Sequence, residues 1–265
     1  MFRFVNRYIA SALAALAMSL PASATTYSTD YTDLWWNPNE NGWGINLIQQ
    51  SEVIFATMFV YGADNTARWY VASALSGSQT TFSGALYQTT GPYFGAAFNP
   101  AAVGVTNVGT MTVNFSGPYN ATLSYVVNGV SVTKQITRQT WRSNNLSGRY
   151  LGGLTANGTG CRTVANGPIL IFDNLNVTQN GNSVSMTVTY FTGATTQGSC
   201  TFSGNYSPSG RIGSISGTWN CTNGTAGTFA MNQVDANPNG FNSVFTGSDQ
   251  YCNYNGYFGG VRDIL

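Results

Sequence analysis

The chain contains no histidine and very little charge, with ten Lys+Arg against nine Asp+Glu in 265 residues. The missing imidazole removes the commonest general base, the commonest metal ligand and every Ser–His or Cys–His nucleophile pair. A G-x-S-x-G nucleophile elbow is also lacking. Sparse and nearly balanced charge argues against nucleic acid and against an anionic membrane surface, both of which select clustered Lys and Arg. Continuous apolar runs are short. The longest, residues 9–20, lies behind Arg3 and Arg7 and ahead of Ala22-Ser23-Ala24, the order of a signal peptide with an A-x-A cleavage site. It falls short of the roughly 20 apolar residues that a membrane-spanning helix needs. Residues 1–24 are therefore expected to be removed on export. Subtracting Arg3 and Arg7 from the ten basic residues leaves eight against nine acids. The mature protein is expected to be secreted or periplasmic, without membrane insertion.

Helical periodicity is missing as well, and what stands in its place is alternation. Short segments with period two, separated by Gly, Asn, Asp and Ser, recur every ten or twelve residues. Met111, Val113 and Phe115 face one way while Thr110, Thr112 and Asn114 face the other. Leu123, Tyr125 and Val127 repeat the pattern, and Asn128-Gly129 is a two-residue hairpin signal. Strands are expected near 31–36, 43–50, 53–61, 67–75, 81–89, 108–116, 121–127 and 130–141, then near 147–154, 169–178, 183–192, 199–206, 211–221, 226–234, 241–247 and 252–261. Eight strands in about 110 residues can close on themselves and remove their edges. The sequence thus predicts an all-β protein of two antiparallel meanders, residues 30–142 and 146–265, each an eight-stranded up-and-down barrel or strongly curved sheet. Thr81-Phe82-Ser83-Gly84 recurs as Thr201-Phe202-Ser203-Gly204, which suggests two related halves.

All four cysteines lie in the second half. In an oxidising compartment an even set reads as two disulfides, and no CxxC spacing supports a metal or thiol chemistry. The hairpin 200–221 turns near Gly210, so Cys200 and Cys221 lie at matching distances from its tip. That leaves Cys161 with Cys252, tying the first strand of the second unit to its last.

The most distinctive segment is DLWWNPNENGWGINL, residues 33–47, where Trp35, Trp36 and Trp43 crowd a turn rich in Asn, Pro and Gly. With the following IFATMFVYGADNTARWY it resembles the opening of a group of secreted proteobacterial proteins carrying a WWNPxExGWG signature. The resemblance extends over residues 33–140, and the closing YNGYFGGVR is similar too. No activity is established for that group, so the resemblance implies no catalytic residue. The SGTWN string at residues 216–220 also resembles a segment of small eight-stranded ligand-binding barrels such as avidin.

Strict alternation sends Trp35 and Trp36 to opposite faces, so the pair cannot both be core. The tryptophans either plug the open end of the first barrel or form a platform for a ligand such as a glycan or a small apolar molecule. One ring of the pair is expected to be visible to solvent or to that ligand. Glu40 sits within the turn, where it is expected to accept N–H bonds from Asn41-Gly42. Beside Asp33 it would be half of a glycosidase pair. Residues 235–240 open like a calcium loop, but the Glu that such a loop requires is Thr246, and a plain turn is favoured. Arg138, Arg142, Arg149 and Arg162 are expected to cover apolar edges with their stems. No metal and no cofactor is implied. The expected protein is a non-enzymatic ligand-binding β-protein whose binding residues are Trp35, Trp36, Trp43 and Glu40, with a carboxylate glycosidase or a structural envelope protein as rivals.

Overall fold

A computed structural model describes residues 29–192 and 196–263. The expected signal peptide, residues 1–24, lies outside them. Among the described residues sixteen strands form two closed barrels, and one 3-10 turn, Pro100–Ala102, is the sole helical element. The first barrel runs β1 (Asp33–Trp36), β2 (Gly44–Gln50), β3 (Val53–Tyr61), β4 (Ala67–Gly77), β5 (Thr81–Thr90), β6 (Gly104–Phe115), β7 (Asn120–Val127) and β8 (Val130–Arg138). The second runs β9 (Gly148–Thr159), β10 (Gly167–Asn180), β11 (Ser183–Thr192), β12 (Thr196–Ser209), β13 (Ile212–Cys221), β14 (Ala226–Asn237), β15 (Gly240–Asp249) and β16 (Asn253–Arg262). Each strand pairs antiparallel with its sequence neighbours, and β1 with β8 and β9 with β16 close the circles.

Alternation decides which face is core. Met111, Val113, Phe115 and Leu123 are buried, while the outer face carries hydroxyl and amide pairs such as Ser83 with Thr112, Thr122 with Gln135, and Ser124 with Thr133. Asn128 and Gly129 take positive φ, 48° and 84°, as the two-residue turn between β7 and β8 requires. The disulfides are Cys161–Cys252 and Cys200–Cys221, with Cα separations of 4.2 and 4.0 Å.

The TFSG strings do not mark an in-register duplication. The first copy lies in the fifth strand of its barrel and the second in the fourth strand of the other, so the two run in opposite senses relative to their barrels. A true correspondence sits where each circle closes. In the first barrel the Arg138 guanidinium of the last strand stacks 4.9 Å from the Trp35 ring of the first strand, whose indole N–H donates to the Tyr31 carbonyl. In the second, Arg262 of the last strand lies 4.9 Å from the Tyr150 ring of the first, whose hydroxyl donates to the Leu146 carbonyl. Each latch joins first and last strands through a cation over an aromatic face whose polar tip reaches back four residues.

Both latches lie at the junction of the barrels. Arg138 is therefore not an edge cover, as its sequence position suggested. Its side chain is buried, pairs with Asp33 at 2.9 Å and donates to the carbonyls of Pro118, Thr32 and Asp30. A buried guanidinium keeps its charge only when its donors are satisfied in this way. The Asp33 carboxylate also accepts the Arg211 backbone N–H at 2.9 Å, and Arg211 forms an ion pair with Asp30. Gly210 at the tip of the β12–β13 hairpin has φ 61°, and a Cβ there would collide with Asp33. Tyr119 completes the junction. Its hydroxyl donates to the Gly213 carbonyl and accepts the Gln233 N–H, both at 3.0 Å. That N–H is turned toward Tyr119 by a bulge in β14, where Gln233 has φ 53°.

Candidate functional site

The turn between β1 and β2 lies at the rim of the first barrel away from the junction. Asn37 builds it: its carbonyl accepts the Glu40 N–H at 3.0 Å and its side chain accepts the Asn39 N–H at 2.9 Å. The Glu40 carboxylate bonds Trp43 and Lys134 rather than the Asn41-Gly42 backbone that the sequence suggested. Asn37 already supplies the local acceptors, which frees the Glu40 carboxylate to reach inward. One oxygen accepts the Trp43 indole N–H at 2.9 Å, and the carboxylate pairs with Lys134 at 2.8 Å. Lys134 is the single lysine of the chain and stands on the inward-facing row of β8 with Ile136 and Arg138. Its hydrogen bond is the largest influence holding the Glu40 carboxyl below the usual carboxylate range. The clasp folds Trp43 against the barrel core, where it is partly buried.

Trp35 is 1% exposed and packs edge-on against Phe115. Trp36 faces outward and is half-buried. The structure thus separates the three tryptophans into a core ring, a clasped ring and an outer ring, as the alternation of Trp35 and Trp36 required. It also separates the carboxylates. Asp33 is bound to Arg138 and Arg211 at the junction, while Glu40 is bound to Lys134 beyond the opposite end of β1.

The outer ring borders a slot. Trp35 pairs with Ile45, so Trp36 comes opposite Gly44; Gly44 pairs with Phe59, and Phe59 with Trp69. Across β1 to β4 the row reads Trp36, Gly44, Phe59, Trp69. Glycine leaves a gap between two rings, and a Cβ at Gly44 would lie 3.2 Å from the Trp35 carbonyl. Phe59 is 56% and Trp69 48% exposed. The gap is part of a groove of about 330 Å³ whose margins include the amides of Asn41, Asn46 and Gln139. Phe59 and Trp69 were legible as strand residues, but their alignment with Trp36 depends on register, which the sequence alone did not supply.

Residues 235–240 are a hairpin connection. Asn237 pairs with Gly240 and its side chain accepts the Asn239 N–H at 2.8 Å. In the second barrel, a cavity at the rim away from the junction is lined by Trp219, Asp249 and Tyr254 among others. The sequence flagged Trp219 only through the SGTWN string and gave no reason to single out Asp249 or Tyr254.

No family model and no curated protein matches the sequence. Among solved structures, the chain overlaps a protein of Bacteroides fragilis named as a candidate outer membrane protein, at 15% identity and a TM-score of 0.29, over 89% of this chain and 97% of that one. So loose an overlap assigns nothing to this chain.

Proposed function

We propose that the protein is an extracytoplasmic, non-enzymatic binding protein that recognises a glycan in the slot between Trp36 and Phe59. The observation that carries this reading is the cross-strand row in which Gly44 holds open a space between outward aromatic rings beside three side-chain amides. A sugar ring presents apolar C–H faces to such rings and hydroxyls to the amides. Trp36, rather than the buried Trp35, is the ring that can stack. Glu40 and Trp43 act by shaping the turn. Asp33 and Glu40 each hold a cation and sit at opposite ends of β1, which disfavours the glycosidase alternative, because such a pair must flank one bond. Two disulfides suit a secreted or periplasmic site. Both barrels are apolar inside, and the outer wall of β5 to β8 carries hydroxyl and amide pairs. The likeness of residues 33–47 to the WWNPxExGWG group fits a shared fold, since Trp35, Glu40 and Trp43 of that signature serve the core and the clasp.

A glycan-array screen of the wild-type protein beside Trp36→Ala tests the reading. Trp36→Ala should weaken binding by on the order of 1–3 kcal/mol and leave the melting curve nearly unchanged. A blank array, or equal binding by Trp36→Ala, would remove the glycan reading.

A further inference from the structure

The rim of the second barrel away from the junction holds a half-open cavity of about 310 Å³, at the lower end of the range typical of small-molecule sites. Its walls are inward residues of several strands, among them Leu154, Ile171, Phe202 and Phe245. Two polar features border it. Trp219 is 8% exposed, and its indole N–H has no hydrogen-bond acceptor among the described residues. The indole lies over Gly227, where a Cβ would stand 2.9 Å from Nε1, so the glycine makes room for a donor that remains unmatched. A buried donor without an acceptor is costly, and an acceptor brought by a ligand relieves that cost.

The second feature is Asp249. Its carboxylate accepts the backbone N–H groups of Tyr251 and Cys252 at 2.8 and 2.7 Å and the Tyr254 hydroxyl at 2.9 Å. Burial, reinforced by Asp249, pushes the Tyr254 hydroxyl up to about 12, so it stays a donor to that carboxylate. Among the described residues lining the cavity, Asp249 carries the one formal charge. Cys200–Cys221 lies in the wall and Cys161–Cys252 at the turn beside Asp249, so both disulfides fix the strands that frame the space.

We propose that this cavity is a second ligand site, independent of the first-barrel slot, selective for a compact apolar molecule that carries a hydrogen-bond acceptor and no negative charge. The apolar body fills the barrel end, the acceptor meets Trp219, and Asp249 rejects anions, because two like charges in a poorly solvated space repel far more than in water. Covalent fixing of the frame lowers the ordering cost of binding.

The test uses the intact, oxidised protein and the neutral fluorescent probe N-phenyl-1-naphthylamine, displaced by octan-2-one or by octanoate. The ketone should displace the probe at a concentration at least about tenfold lower than octanoate, the ratio set by about 1.4 kcal/mol of discrimination. Asp249→Asn keeps an acceptor for the two N–H groups and removes the charge, and it should erase most of that preference. Ile171→Trp should fill the cavity and abolish probe binding, and Trp219→Phe should weaken the ketone about tenfold while leaving octane unaffected. Trp36→Ala should change none of these results. Failure of the probe to bind, binding that survives Ile171→Trp in a variant that melts normally, or equal displacement by ketone and octanoate would overturn the proposal. If Ile171→Trp does not fold, the octanoate response of Asp249→Asn decides by itself.

Discussion

The two barrels share strand number, topology and the aromatic–arginine latch, and they differ in how their outer rims are finished. In the first barrel a turn of seven residues, 37–43, folds back over the rim and fastens it with Glu40, Lys134 and Trp43. Short β1, four residues, suits that inward fold. In the second barrel strands of up to 14 residues carry the wall further, the rim borders a half-open cavity, and two disulfides hold it. A rim filled by side chains is held by their contacts, whereas a hollow rim forfeits part of that dispersion energy and relies on covalent ties. One closed meander therefore supports two kinds of surface: an aromatic slot outside the first barrel and a half-open apolar cavity at the rim of the second.

The most forceful way to break this comparison is to remove the ties. Chain-entropy arguments give the bridge spanning 91 residues about 4.6 kcal/mol and the one spanning 21 about 3.3 kcal/mol. Replacing all four cysteines by alanine should melt the second barrel well before the first, giving two calorimetric transitions. A single transition at the wild-type temperature would show that the hollow rim needs no covalent support. Next in size is the junction. Arg138→Ala leaves Asp33 and three carbonyls facing each other without their cation, and should cost about 3–5 kcal/mol in denaturant unfolding. The matching loss at Arg262, which is only partly buried, should be smaller, and equal losses would refute the idea that burial sets the strength of the latch. Within the first turn, Trp35→Ala should cost about 3–5 kcal/mol of stability as a large core ring. Trp36→Ala should cost little, the contrast that separates the core face from the outer face.

The architecture was legible because period-two alternation and turn residues are local. Met111, Val113 and Phe115 needed no partner to declare their face, and Asn128-Gly129 fixed a hairpin from two residues. The disulfide pairing followed from the same local logic once the hairpin tip was placed at Gly210. Sites that depend on which strands meet across the barrel were not legible. Lys134 and Glu40 are 94 positions apart and Arg138 and Asp33 are 105 apart, so nothing in their own neighbourhoods announces the pairing. Arg138 looked like a surface arginine because arginines are mostly exposed, and only barrel closure reveals the carbonyls that bury it. The TFSG repetition misled for the opposite reason: it is local similarity without equivalent placement. Alternation required one ring of the Trp35–Trp36 pair to face outward without saying which, and the slot further required Gly44, Phe59 and Trp69 in one cross-strand row.

The smallest expected effects sharpen the comparison at the two extremes of pH. At the first rim the Glu40 carboxyl is held below its ordinary 4.5, chiefly by the Lys134 hydrogen bond. A depressed carboxylate stabilises the fold above its unfolded pKa, and that contribution disappears as pH falls through the folded value, so the clasp is acid-sensitive. At the second rim burial, and then Asp249, raise the Tyr254 hydroxyl from 10.0 to about 12. A raised phenol stabilises the fold below its unfolded pKa, and that contribution is lost as pH climbs from 10.0 to about 12, so this rim is sensitive to alkali. The Trp43 indole N–H resonance should shift as pH is lowered below 4.5, and Glu40→Gln should abolish that titration. The absorbance change at 295 nm that Tyr254→Phe removes should have its midpoint near 12. If acid moved Trp219 as readily as Trp43, or if Tyr254 ionised near 10, the two rims would not be held by the separate groups assigned to them. Opposite pH responses from barrels of one topology would show that the rims, rather than the shared wall, set the local chemistry.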